Sequence, residues 1–261
     1  MEVGVSTACL YPELLENALE ELAIRGVKIV EIFINTHCEL EPSFAQKLKK
    51  IIDENGVKVA SVHPFTCAIE PMMFFTPYER RMSDALDYYK KYFEVMNILN
   101  ANIFVFHGNK PQNPFPHESY FEHYSRLVSL AKEFGVTVVH ENVARCCGGN
   151  LSFLKEMSDF LGDEVNFLID IKQAVRSGEN PFEILEALKG KVSHIHYSDH
   201  NEKHDCLPFG AGNFDSDGFF KALKAQGYDR DVILELYRGN YKDYNALAEN
   251  YRFLEKAVKS I

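Results

Sequence analysis

The chain has 261 residues, 46% of them hydrophobic and 25% charged, with a formal net charge of −10. That balance predicts a soluble globular protein with a large core, at a length that α/β barrels commonly fill as one domain; it argues against a nucleic-acid partner, because binding along a phosphate backbone relies on lysine and arginine. No run approaches the roughly 18 apolar residues of a membrane span, and MEVGVSTACLYPELLENALEEL has no basic segment ahead of a long apolar stretch, so no membrane partner and a cytoplasmic location are expected.

VGVS from Val3 reads as a first strand, and the STACLYP that follows it contains no glycine-rich phosphate loop. PELLENALEELAIRG carries apolar residues at helical spacing and stops at Gly26, just ahead of a second strand, VKIVEIFIN from Val27. PSFAQKLKKIIDENG repeats the pattern, stopping at Gly56 before VKVASVH from Val57. The segment Pro64 to Pro77, PFTCAIEPMMFFTP, brings Phe65, Met72, Met73, Phe74 and Phe75 together as an expected apolar lid, although a helix-packing segment would read the same. NIFVFH from Asn102 is the fourth strand, and SYFEHYSRLVSLAKEFG with Gly135 leads to VTVVHEN from Val136. VNFLID from Val165, VSHIHYSD from Val192, the helical FDSDGFFKALKAQG ending at Gly227, and DVILELY from Asp231 complete the order.

Strands alternating with helices and no Pro/Gly/Ser-rich linker predict the α/β class, a (β/α)8 TIM barrel forming a single domain over residues 1–261. A doubly wound sheet is the structural alternative. A barrel concentrates chemistry at the C-terminal ends of its strands. His63, His107, Glu141, Asp170, His196 with Asp199, and Glu235 close the third to the eighth strands in turn. Glu141, Asp170, His196 and Glu235 come from consecutive strands, and carboxylates so close together raise one another's pKa unless a cation compensates. One divalent ion is therefore expected, with Mn, Mg, Co and Zn all compatible with oxygen-rich ligation plus one imidazole. Each residue also has a plainer reading: Asp170 as a helix N-cap, His196 as a satisfied core histidine, Glu235 as the partner of a buried arginine. His63 and His107 read either as substrate contacts or as polar plugs between barrel layers, and Glu31 as a deeper structural or substrate-orienting carboxylate. Lys110, Arg145, Lys172 and Arg238 follow strands and could hold a phosphate or carboxylate, or serve as surface charges. The six cysteines lack CxxC spacing and read as reduced, semi-apolar loop fillers.

ENV at Glu141, LID at Asp170, HIHYSDH around His196, CLPFGAG from Cys206 and LEL at Glu235 together resemble the xylose isomerase-like barrel superfamily, which contains sugar isomerases, ketose 3-epimerases and endonuclease IV. In the epimerase branch the resemblance implies a metal held by Glu141, Asp170, His196 and Glu235. It also implies that Glu141 and Glu235 act as the catalytic pair, one removing a proton next to a carbonyl and the other returning it from the opposite face. The implied substrate is a small sugar or sugar phosphate, contacted by His63, His107, Gln173, Lys172, Asp199 and Arg238. Two positions depart from the family. Gln173 stands in DIKQ where many members have histidine, and Cys206 stands in CLPFG where histidine is common; both remove ligands for the extra zinc ions of an endonuclease. The alternatives are an abasic-site endonuclease-like phosphodiesterase, a related metal-dependent dehydratase and a non-catalytic sugar-binding barrel. Related barrels also pair through outer helices or loops, so a homo-oligomer is compatible with the resemblance.

Overall fold

The β-branched runs become eight parallel strands: β1 Val3–Ser6, β2 Ile29–Phe33, β3 Lys58–His63, β4 Ile103–Phe106, β5 Thr137–Glu141, β6 Asn166–Asp170, β7 Val192–Tyr197 and β8 Val232–Leu234. In the computed structural model, which describes residues 1–261, they pair in sequence order and close, with Val3, Gly4 and Val5 of β1 against Val232, Ile233 and Leu234 of β8. The fold is a single-domain TIM barrel, and closure excludes the doubly wound alternative.

Ten helices wrap it: α1 Leu15–Ile24, α2 Pro42–Asn55, α3 Glu70–Phe74, α4 Glu79–Leu99, α5 His117–Glu133, α6 Leu151–Leu161, α7 Ile171–Ser177, α8 Pro181–Ala187, α9 Ser216–Ala225 and α10 Tyr244–Lys259. Gly56 takes the left-handed conformation (φ 61°) that ends α2 and turns the chain into β3, as its position predicts. No helix is long and apolar enough to cross a membrane.

The two-residue period of a strand sorts side chains between two layers. Outward-facing Val30, Ile32, Phe104, Phe106, Val138, Phe167 and Ile195 join the helices in one continuous core. Inward-facing apolar residues form two separate small clusters, Ile29, Ala60 and Ile233, and Ile103, Val105, Val139 and Leu168. At the first of these, a Cβ on Gly4 would lie 2.7 Å from Ile233 Cδ1 and 2.9 Å from the Ile29 carbonyl, so the close approach of β1 depends on a missing side chain. One inward step further along the strands, the residues become polar.

The expected lid is largely a packing segment. Phe74 and Phe75 are buried, Phe74 edge-on to Tyr89 and Phe106 and Phe75 stacked on Tyr120 with ring centroids 4.1 Å apart. Met72, by contrast, is 60% exposed.

Candidate active site

Alternation along β5 turns Val139 and Glu141 inward and leaves His140 facing the helices, where the Tyr120 hydroxyl lies 2.6 Å from its Nε2. The same alternation brings Asp170 at the end of β6, His196 in β7 and Glu235 just past β8 into the barrel mouth. His196 Nδ1 lies 3.8 Å from Glu141 Oε1, 3.9 Å from Asp170 Oδ2 and 3.6 Å from Glu235 Oε2. These separations exceed ordinary hydrogen bonds and match donors that each stand about 2.0–2.2 Å from a shared ion. His196 Nδ1 is buried without a hydrogen-bond partner, and Asp170 Oδ2 has only the ion pair with Lys172 Nζ at 3.1 Å. A partnerless buried imidazole nitrogen facing three carboxylates fits a divalent cation.

Glu31 fixes the orientation of the imidazole. Its Oε2 lies 2.9 Å from His196 Nε2 and 3.4 Å from His194 Nε2, and it accepts from Ser61 Oγ at 2.8 Å. A carboxylate on Nε2 leaves Nδ1 for the ion. Burial opposes a charged His196, but Glu31 and Glu235 outweigh it and raise its pKa well above the ordinary value, so a proton competes with a metal for this ring. Burial likewise opposes ionisation of Glu141, which His196 and His107 nonetheless hold well below the usual carboxylate range. Burial lifts Asp170 to about 7, with Lys172 offsetting part of the rise and Glu235 and Glu141 adding to it.

On the other side of Glu141 stand His63 and His107. Their Nε2 atoms are 3.2 Å apart, and His107 Nε2 is 3.5 Å from Glu141 Oε2. With Glu141 they form a second group of three close donors able to take an ion. Behind them is Glu70, a residue the sequence reading missed. Its carboxylate accepts from the backbone amides of His107 and Gly108 and from the Tyr89 hydroxyl, and lies 3.2 Å from His107 Nδ1. Glu70 raises the His107 pKa against the effect of burial. The available signal was a lone carboxylate in an apolar stretch.

The remaining expected substrate contacts divide. Lys172 is buried in the mouth, its Nζ 2.5 Å from Glu235 Oε2 and 3.1 Å from Asp170 Oδ2, and so is already paired. Gln173 turns back to accept from the Ala144 amide. Asp199 is saturated by its own loop: Oδ1 accepts from the His200 and Phe214 amides and Oδ2 from those of Gly210 and Gly212. Arg238 is exposed and lies over the rings of Tyr241 and Tyr244. Asp199 and Arg238, expected as substrate contacts, are thus engaged by a loop and by two aromatic rings in this structure. Cys206 is buried at φ 55°, and burial pushes its thiol up to about 11.

Glu235 borders a cavity of about 460 Å³ walled by the aromatic rings of Tyr11, Phe33, Phe65 and Tyr237, with no lysine or arginine among its lining residues. Arg176 steadies Tyr237 with a 2.7 Å hydrogen bond to its hydroxyl. A wider cleft of about 800 Å³ between the loops after β4 and β5 contains none of the four donors.

A family model described as "Xylose isomerase-like TIM barrel" matches residues 18–257. An inosose dehydratase of Lacticaseibacillus casei is 24% identical over 257 residues, covering 84% of this chain and 81% of the relative. Among solved structures, a D-tagatose 3-epimerase-like protein superposes with a TM-score of 0.80 at 22% identity, covering 100% of this chain and 98% of the other. The IolI protein with a bound zinc atom superposes at 0.75 with 19% identity, covering 100% and 97%.

Proposed function

This chain belongs to the xylose isomerase-like TIM-barrel family, and from that membership we propose that it is a divalent-metal-dependent sugar isomerase or epimerase acting on an uncharged sugar or cyclic polyol. The observation that carries this reading is the convergence of Glu141, Asp170, His196 and Glu235 around the buried, partnerless His196 Nδ1. Those four residues would hold the ion, which when bound supplies Lewis-acid polarisation of a carbonyl oxygen. Glu141 and Glu235 then serve as proton carriers, one taking the proton from the carbon beside the carbonyl and the other returning it. His63 and His107 face the same space and orient hydroxyl groups. The aromatic walls favour the apolar face of a sugar ring, and the absence of an unpaired cation among them disfavours a phosphorylated substrate.

A dehydratase is the second reading, favoured by His107. Backed by Glu70 and 3.5 Å from Glu141, its imidazolium is suited to protonate a leaving hydroxyl after a glutamate has removed the neighbouring proton. The relatives named inosose dehydratase point the same way.

Metal analysis of the purified protein, followed by a panel of ketoses, sugar phosphates and inososes in deuterated water, separates these readings. One ion per chain with deuterium entering an unphosphorylated ketose is the expected result. Loss of 18 mass units from an inosose would select the dehydratase, and no metal together with no exchange would defeat both. Glu141→Gln and Glu235→Gln should each lower the exchange rate by about 10²–10⁴; untouched exchange in both would remove the two-glutamate scheme.

A further inference from the structure

The four-donor arrangement leaves one charged group in the mouth without a role. Lys172 lies two residues past Asp170, in the first turn of α7, and turns inward, so that the residue is only 3% exposed. Its ammonium lies against Glu235 Oε2 and Asp170 Oδ2, the same two oxygens that face His196 Nδ1. The Tyr237 ring covers it, with Nζ 5.1 Å from the centroid. Among all the ion pairs of the chain, no other lysine or arginine reaches Glu141, Asp170 or Glu235.

The charges can be counted. Glu141, Asp170 and Glu235, when ionised, carry three negative charges against one positive on Lys172, and a divalent ion brings this set to zero. Without the lysine, the same ion would leave a surplus negative charge and meet less repulsion. Two cations sharing carboxylates within a few ångströms oppose each other strongly where water does not screen them. Lysine suits such a place because its ammonium is a compact point charge on a flexible stem.

We propose that Lys172 is a resident counter-cation of the metal centre, which holds Asp170 and Glu235 together before the ion arrives and weakens the ion's binding once it is there. The inference rests on reading Glu141, Asp170, His196 and Glu235 as metal ligands. It makes the ion exchangeable by construction, and it identifies the lysine of DIKQ as a tuning residue rather than a hand for substrate phosphate.

Calorimetric titration of Mn²⁺ into the metal-stripped full chain tests it, with Lys172→Met, Lys172→Gln and Lys172→Arg beside the wild type and thermal melts of each metal-free form. The methionine and glutamine variants should bind Mn²⁺ at least tenfold more tightly and melt lower than wild type without it; the arginine variant, which keeps the charge, should stay near wild type in affinity. Should the methionine variant fail to fold, the glutamine variant, which retains a hydrogen-bond donor, carries the measurement. Affinity unchanged or weakened in the charge-removing variants would overturn the role of Lys172, since a merely structural lysine would loosen the site when lost. Absence of Mn²⁺ binding in wild type and variants alike would defeat the ligand assignment itself.

Discussion

Glu31 shows how a residue outside the four proposed donors can set the geometry of one of them. Its carboxylate lies in the barrel interior, bound to Ser61 and close to two histidines of β7, and orients the ring whose other nitrogen faces the donor carboxylates. Outer partners of this kind are worth about 10–100-fold in metal affinity. Glu31→Gln should therefore weaken Mn²⁺ binding by that order, opposite in sign to the effect of Lys172→Met; equal binding in Glu31→Gln and wild type would show that the barrel positions His196 without it. At this scale the sequence was legible where side-chain period and strand ends coincide. The convergence of Glu141, Asp170, His196 and Glu235 follows from the sequence because each lies at or beside the end of a β-branched run. Asp199 and Arg238 follow strands too, yet the direction of a side chain in a loop is set by local amides and ring faces that no periodicity encodes.

Elements meet at the mouth through a few buried polar clamps. Asn142, one residue past β5, donates from Nδ2 to the Asp170 carbonyl at 3.1 Å and accepts the Asp170 amide at 2.7 Å, so the ends of β5 and β6 are tied by a side chain where the ladder itself stops. Asn142→Ala would orphan both buried groups, at a cost of about 1–3 kcal/mol each. Urea denaturation should show this as a lower midpoint with an unchanged slope, and metal affinity should fall with it. An unaltered midpoint would mean that water takes over the amide's bonds. The segment carrying α3 makes the same point from the other side. Its apolar residues read as a lid, but Glu70 inside it pins the turn after β4, where Gly108 (φ 87°) passes so near Tyr120 that a Cβ would lie 2.0 Å from the hydroxyl. Sequence pattern showed an apolar segment and not its destination, because packing against Tyr89, Phe106 and Tyr120 depends on residues distant in the chain.

For the whole molecule, buried neutral histidines tie stability to pH. Burial lowers His140 to about 3 and His63 to about 4, whereas an unfolded chain takes up those protons near 6.5. At these two positions the unfolded state binds more protons below about 6.5, and the stability they contribute is lost as pH falls from there toward the folded values, by up to ~1.4 kcal/mol per pH unit for each histidine. His140→Gln should make the decline between pH 6.5 and 5 shallower by about one proton's worth of slope; an identical slope would mean that His140 is protonated in the native protein. The fold itself was the most legible level. Eight β-branched runs, helical stretches between them and glycines at their junctions agree on one architecture, and agreement among independent local signals is what specifies a fold.

The order of strands around the barrel has a further consequence. All four donors come from residues 141 to 235, while Tyr11, Phe33 and Phe65 of the cavity wall come from the first quarter of the chain. The donors and most of the aromatic wall thus come from different stretches of the chain, joined across the barrel by Glu31 and His63. On the proposed function, a hybrid that joins the first three strand–helix units of a relative to the remaining five of this protein would keep the four donors and exchange most of the aromatic wall, and it would keep their setting only where the relative supplies a carboxylate and an imidazole at the places of Glu31 and His63.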